Sequence, residues 1–280
     1  MKRVFRAVQR YGSLLVLAGI ASMVAGIAAD NGWLVESDQW FAILSMLGLV
    51  LILLGLAAVF VPGGDRTDEP RAVRSPVQGR WLAMNSPATK VPSHGIRAYG
   101  QSHAVDLVFD PEDLPRPEFG SGAGMRPPSD FPAYGQPVFA PVSGRVVAVR
   151  ANARDHRSRS RWWAVLYMLV EGMIREIGGA RHIVGNHVVI DTGEGCYGLV
   201  AHLQQHSAAV GVGDDVLAGQ HVGRCGNSGN SSEPHVHVQL MDRAALSAAR
   251  GVPMIFTGVT VGSSTTSAGM PANGEHMVAE

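Results

Sequence analysis

The residues best suited to chemistry lie in GNSGNSSEPHVHVQL, residues 226–240. In a strand, side chains at i and i+2 point to one face, so His235 and His237 project together. Two imidazoles on one sheet face can share a metal ion and its bound water. Alone the pair says little, because any alternating strand can place histidines this way. The preceding turn, Gly226 to Ser231, sharpens the signal. Its glycines permit the dihedrals of a tight turn, and it leads through Pro234 straight into the strand. Two more polar residues sit among apolar strand residues. Asp106, in AVDLVFD, is costly to bury without a partner. A cation would remove that cost; an exposed acid at a strand edge is the plainer explanation. His202 closes the apolar run LVAHL, where a lone histidine is more often a hydrogen-bonded core or surface residue than a catalyst.

The elements that must position these residues read as β. Short apolar runs alternate with glycine turns at 103–109, 137–150, 186–193, 196–203 and 235–241. That pattern predicts an antiparallel β-sandwich or barrel-like domain over residues 78–262. Residues 110–135 are rich in Pro and Gly and read as a long loop. Residues 151–185 break the pattern. A basic stretch, ARDHRSRSR, precedes WWAVLYMLVEGMIREIGG, whose apolar positions fit one helix face. This predicts a helical insertion between two strands. Its apolar face is expected to pack on the domain's own sheet; lying on a membrane surface is the alternative use of a basic, aromatic segment. Residues 63–77 read as a linker and residues 263–280, small and polar, as a disordered tail.

Composition narrows the function classes. Formal net charge is zero over 280 residues, so no global field draws the chain to nucleic acid. Cys196 and Cys225 are too few for a disulfide framework and lack zinc-finger spacing. Near the N-terminus, no charged residue occurs within 11–29 or 40–62. Each run approaches the ~20 residues that cross a bilayer core. The expectation is a two-helix transmembrane hairpin over residues 1–62, with spans at about 12–29 and 41–61, and the lipid bilayer as a partner. Residues 30–39 between the runs carry three acids and no Lys or Arg, while basic residues flank both outer ends. The charge pattern thus puts both termini in the cytoplasm.

Taken together, the chemical residues resemble the lysostaphin/LytM-type zinc peptidases of the M23 family. VGRCGNSGNSSEPHVHVQ is similar to that family's closing motif and GNHVVIDTGEGCYGLVAHL to its central strand pair. PVFAPVSGRVVAV is similar to the strand pair before them. The resemblance spans roughly residues 92–242. It implies a Zn2+ cofactor, with Asp106 and His237 as ligands and His202 and His235 as the catalytic histidines. His235 would act as general base and His202 would stabilise the oxyanion, or the reverse. The family's H-x-x-x-D pattern would put the first ligand where this chain has Ser102. His103 stands one residue late and would need a bulge to turn inward. His94, reaching in from a loop, is the favoured first ligand and His103 the alternative. The implied activity is hydrolysis of peptidoglycan peptides, in a groove between loop 110–135 and the helical insertion. A wall enzyme must act outside the cytoplasm, so the resemblance implies an extracytoplasmic domain against the charge pattern. A degenerate domain that binds wall peptides or regulates another hydrolase is the alternative.

Overall fold

The computed structural model describes residues 2–30, 38–60, 69–262 and 267–280. The chain divides into two compact units, residues 1–64 and 65–280.

The first unit holds α1 (Lys2–Asp30) and α2 (Asp38–Phe60), packed antiparallel. Small residues set their spacing. A Cβ on Gly19 would stand 2.6 Å from the Gly48 carbonyl oxygen, and one on Gly55 would stand 2.5 Å from that of Gly12. Ser22 Oγ donates to Leu44 O at 2.7 Å. Among the described residues, however, no helix is long and apolar enough to cross a membrane. This corrects the expected two-span hairpin and the membrane localisation drawn from it. The first turns of α1 carry Lys2, Arg3, Arg6 and Arg10.

The second unit is mainly β. In chain order its strands are β1 (Arg71–Arg74), β2 (Gly79–Met84), β3 (Val105–Phe109), β4 (Pro137–Phe139) and β5 (Gly144–Arg150). Then follow β6 (His187–Asp191), β7 (Tyr197–Ala201), β8 (Asp215–Val216), β9 (His221–Arg224) and β10 (Val236–Met241). The last are β11 (Gly251–Val252), β12 (Met254–Thr257), β13 (Val259–Val261), β14 (Ala268–Gly269) and β15 (His276–Ala279). The principal sheet runs β13-β15-β2-β3-β10-β7-β6-β5-β8, with β11 also paired to β10. It is an open sheet with two edges, which corrects the barrel-like expectation. Alternation divides its side chains between two faces. Val105, Leu107, Val188, Ile190, Val200, Val236, Val238 and Leu240 enter the main core. Val189, Leu199, Ala201 and Met241 form a smaller cluster on the other face. Asp106 and His237 fall out of step with the main core and emerge on that second face.

Three other expectations change. The presumed linker begins outside the described residues, but its end forms β1, paired in parallel with β12. The presumed tail contributes β14 and β15, and β15 pairs with both β2 and β13. Small polar residues can still complete a sheet, because the ladder bonds are made by the backbone. The insertion does form a helix, α3 (Trp162–Ile177), followed by the short α4 (Ala180–Ile183). Of α3, however, only Ala164 is buried. Trp162, Trp163, Leu166 and Ile174 are each more than half exposed. Its polar side faces the domain instead. Glu171 pairs with Arg159 at 2.5 Å, and Tyr99 Oη donates to Glu176 at 2.6 Å. These charge-assisted contacts, rather than apolar burial, fix the helix.

Candidate metal centre

Sheet register builds the site. His237 on β10 lies directly opposite Asp106 on β3 and, across its other edge, Ala201 on β7. His202 follows Ala201 immediately, so three neighbouring strands deliver Asp106, His237 and His202 to one place. His202 adopts φ 58, a left-handed conformation uncommon outside glycine. Its amide donates to Val184 O and its carbonyl accepts from the Gly226 amide, so neighbouring backbone holds the turn. His235 enters just before β10, behind the turn that contains Gly229. That glycine has φ 78, and a Cβ there would stand 2.5 Å from the Ile183 carbonyl oxygen. Asn186 braces the same region: its amide donates to Ser228 Oγ, and its side chain donates to Ala153 O and Leu203 O.

His94, Asp106 and His237 each place one ligand atom within 4.8 Å of the others. Asp106 is 7 % exposed. Its Oδ2 lies 3.1 Å from His94 Nε2 and its Oδ1 2.8 Å from His237 Nδ1. His235 Nε2 lies 3.5 Å from Oδ1. His103 ends a 3-10 turn (Ala98–His103) and is absent from this group.

The outward nitrogens reveal which atoms face inward. His202 Nδ1 donates to Ser228 O at 2.8 Å, and His235 Nδ1 donates to Glu233 O at 2.8 Å. Ser93 gives its hydroxyl proton to Gln101 O, so its oxygen accepts from His94 Nδ1 at 3.1 Å. Gln239 donates its amide to Tyr99 O at 2.8 Å, which turns its Oε1 toward His237 Nε2 at 2.8 Å. In the neutral rings, one nitrogen donates and the other accepts. The inward atoms are therefore lone pairs: Nε2 of His94, His202 and His235, and Nδ1 of His237. Those of His94, His235 and His237 face an ionised carboxylate. Lone pairs turned on an anion are stable only around a cation, and two imidazoles with one carboxylate suit zinc. The donor set therefore fits a metal ion.

Burial favours the neutral acid at Asp106, but His94, His235 and His237 outweigh it and hold the carboxyl well below the usual carboxylate range. Burial, reinforced by His235 and His237, holds His202 well below the ordinary imidazole range, so its resting ring is neutral. Burial also opposes charge on His235, but Asp106 and the Glu233 carbonyl outweigh it and push its pKa up.

Two neighbours escaped sequence reading. Asn85, just past β2, donates to Asp106 Oδ2 at 2.8 Å. Nothing in its local sequence signals this. Gln239 was findable, because it stands at i+2 from His237 on the same strand face. Since Gln239 fixes the His237 tautomer, Gln239→Leu is expected to weaken zinc binding about 10–100-fold. Gln239→Glu, which keeps an acceptor, should retain most of it. Competition against a chelator of known affinity measures both.

No curated protein matches the chain. Residues 166–248 match the family model described as peptidase family M23. Similar solved structures include the catalytic domain of the antimicrobial peptidase lysostaphin from Staphylococcus simulans, 22% identical. The match covers 55% of this chain and 78% of that one, with TM-score 0.31. A point mutant of the catalytic domain of the prophage-encoded M23 protein EnpA from Enterococcus faecalis is 20% identical. Coverage is 68% of this chain and 93% of that one, with TM-score 0.31. A zinc-containing peptidase from Vibrio cholerae is 18% identical over 64% of this chain, with TM-score 0.31. There the match spans only 35% of the relative's length.

Proposed function

We propose, from the premise that this chain carries a peptidase domain of the M23 type, that it hydrolyses peptide bonds in peptidoglycan. His94, Asp106 and His237 would hold a zinc ion. The observation that carries this reading is the convergence of imidazole lone pairs on buried, ionised Asp106. Bound zinc would polarise the scissile carbonyl and acidify a water. The remaining work falls to the protein. His202 and His235 stand with ring centroids 4.7 Å apart. Each is tied at Nδ1 to a backbone carbonyl, which leaves Nε2 free for proton transfer. One ring accepts a proton from the attacking water at Nε2 and, once protonated, gives that proton to the leaving amine; the Nε2 of the other ring orients the water for attack. Such positioned proton transfer contributes about 10²–10⁴-fold. Ser228 O and Glu233 O hold both rings in the tautomer that permits it.

The test is release of new amino termini from purified peptidoglycan and soluble wall peptides by the zinc-loaded protein. The reading expects release that stops with a chelator and resumes with added zinc. A zinc-loaded protein that binds wall peptides and releases none would establish a non-catalytic domain instead.

A further inference from the structure

A cleft of about 300 Å³ opens beside the last turn of α3 and shares no lining residue with the space over the metal centre. Arg150 lines it from β5, Arg154 and His156 from the loop that follows, Arg175 from α3 and His182 from α4. Gly185 and Gly229 add bare backbone. A Cβ on Gly229 would stand 2.5 Å from the Gly185 nitrogen, so the two segments touch. Among the described residues, no Asp or Glu lines the cleft.

Its charge is not balanced from within. Arg175 meets Glu171 at 3.5 Å, but Arg159 holds the same carboxylate at 2.5 Å. Arg150 donates to the Arg181 carbonyl, which adds a further guanidinium nearby. Asp155, between Arg154 and His156 in the chain, instead accepts from the amides of Asn227 and Gln205. The cations weaken one another. Burial and then Arg181 lower the Arg150 pKa, and burial followed by Arg150, Arg181 and Arg175 lowers that of His182.

His156 is the sharper observation. It is 8 % exposed. Its Nδ1 lies 3.0 Å from Arg157 O and its Nε2 2.8 Å from Gly229 O. A carbonyl only accepts, so both contacts call for an N–H, and the imidazolium alone has two. Yet burial pushes the His156 pKa down; the two carbonyls oppose the fall, and Arg175 and Arg159 add to it. A buried cation among cations is costly. An anion in the cleft removes the conflict, because it offsets the guanidinium groups and lets His156 keep both bonds.

We propose that this cleft binds a dianionic oxyanion of the phosphate class. Guanidinium groups meet phosphate through paired N–H bonds, and a single negative charge would leave most of the cluster unbalanced. The volume falls at the small end of ligand pockets. The bound group would lie beside the turn that holds His202, since Gly229 follows Ser228, whose carbonyl accepts from His202 Nδ1. The proposal does not rest on the peptidase reading, because binding here needs neither the metal nor hydrolysis.

The probes are inorganic phosphate, glycerol 3-phosphate and acetate, with vesicles of phosphatidic acid in phosphatidylcholine beside phosphatidylcholine alone. Calorimetry on the full-length zinc-loaded protein, at fixed ionic strength, measures the soluble probes, and cosedimentation measures the vesicles. Phosphate is expected to bind at least about tenfold more tightly than acetate. Arg154→Ala should weaken phosphate at least about tenfold, and Arg154→Glu should abolish binding. Arg154 is exposed, so neither change disturbs the core. Arg243→Ala, which removes an arginine paired with Asp242 outside the cleft, should leave binding unchanged. Asp106→Ala should also leave it unchanged, which separates the cleft from an ion at the metal centre. In proton spectra, phosphate should move the titration of His156 to higher pH in the unaltered protein and not in Arg154→Glu. The tightest phosphate carrier then shows whether the ligand is a free ion, a soluble ester or a lipid headgroup. No phosphate binding, equal binding of acetate, or equal loss in Arg243→Ala would overturn the site. So would binding that survives Arg154→Glu or vanishes in Asp106→Ala. Peptide cleavage can succeed or fail separately from all of these outcomes.

Discussion

Replacing Asp106 with alanine is expected to abolish zinc binding and to slow peptide hydrolysis at least about 10³-fold. The carboxylate is the centre on which the site is built. One oxygen faces His237 and His235, and the other faces His94 and Asn85. Without it only His94 and His237 remain as ligands, too few for a catalytic zinc. Asp106→Asn keeps the volume but removes the charge, and it should bind zinc far more weakly than the unaltered protein. Metal content by emission spectroscopy, with circular dichroism to show an intact fold, measures both variants. Full zinc occupancy in Asp106→Ala would mean that the ion sits elsewhere.

The opposite signature is expected of the two remaining histidines. His202→Ala and His235→Ala should each keep one zinc per chain and lose about 10²–10⁴-fold in kcat. Neither ring belongs to the group of three that brings its ligand atoms within 4.8 Å. Both are tethered by backbone carbonyls that leave one nitrogen free. Because the rings share one proton transfer, the double substitution should cost little more than the worse single one. Metal content and steady-state kinetics on the same preparations decide the matter. Loss of zinc from either variant would move that residue from proton transfer to metal binding.

The site's strand residues were legible for a geometric reason. Period-two alternation puts His235 and His237 on one face whatever surrounds them, and the same rule separates Asp106 from its apolar neighbours. Pairing across strands was not legible. That His237 faces Asp106 follows from register, which depends on the whole sheet. Asn85 was hidden for the same reason. The direction of α3 could not be read either. Its apolar stripe predicts burial, but Arg159 and Tyr99 hold Glu171 and Glu176 on the inward side. Glu171 and Glu176 then decide which side turns inward. Composition also misled at the ends of the domain. Residues 71–74 and 268–279 look like linker and tail, yet they complete sheets through backbone bonds. At the N-terminus, two runs without charge suggested membrane spans, whereas no described helix is long and apolar enough to be one.

His94, Asp106 and His237 are expected to hold one zinc ion. Zinc stoichiometry on the purified protein tests it most directly, with the unaltered chain measured beside His94→Ala and His103→Ala. The arrangement predicts one zinc per chain in the unaltered protein, retained in His103→Ala and lost in His94→Ala. No zinc after full metal loading, or loss in His103→Ala with retention in His94→Ala, would contradict it.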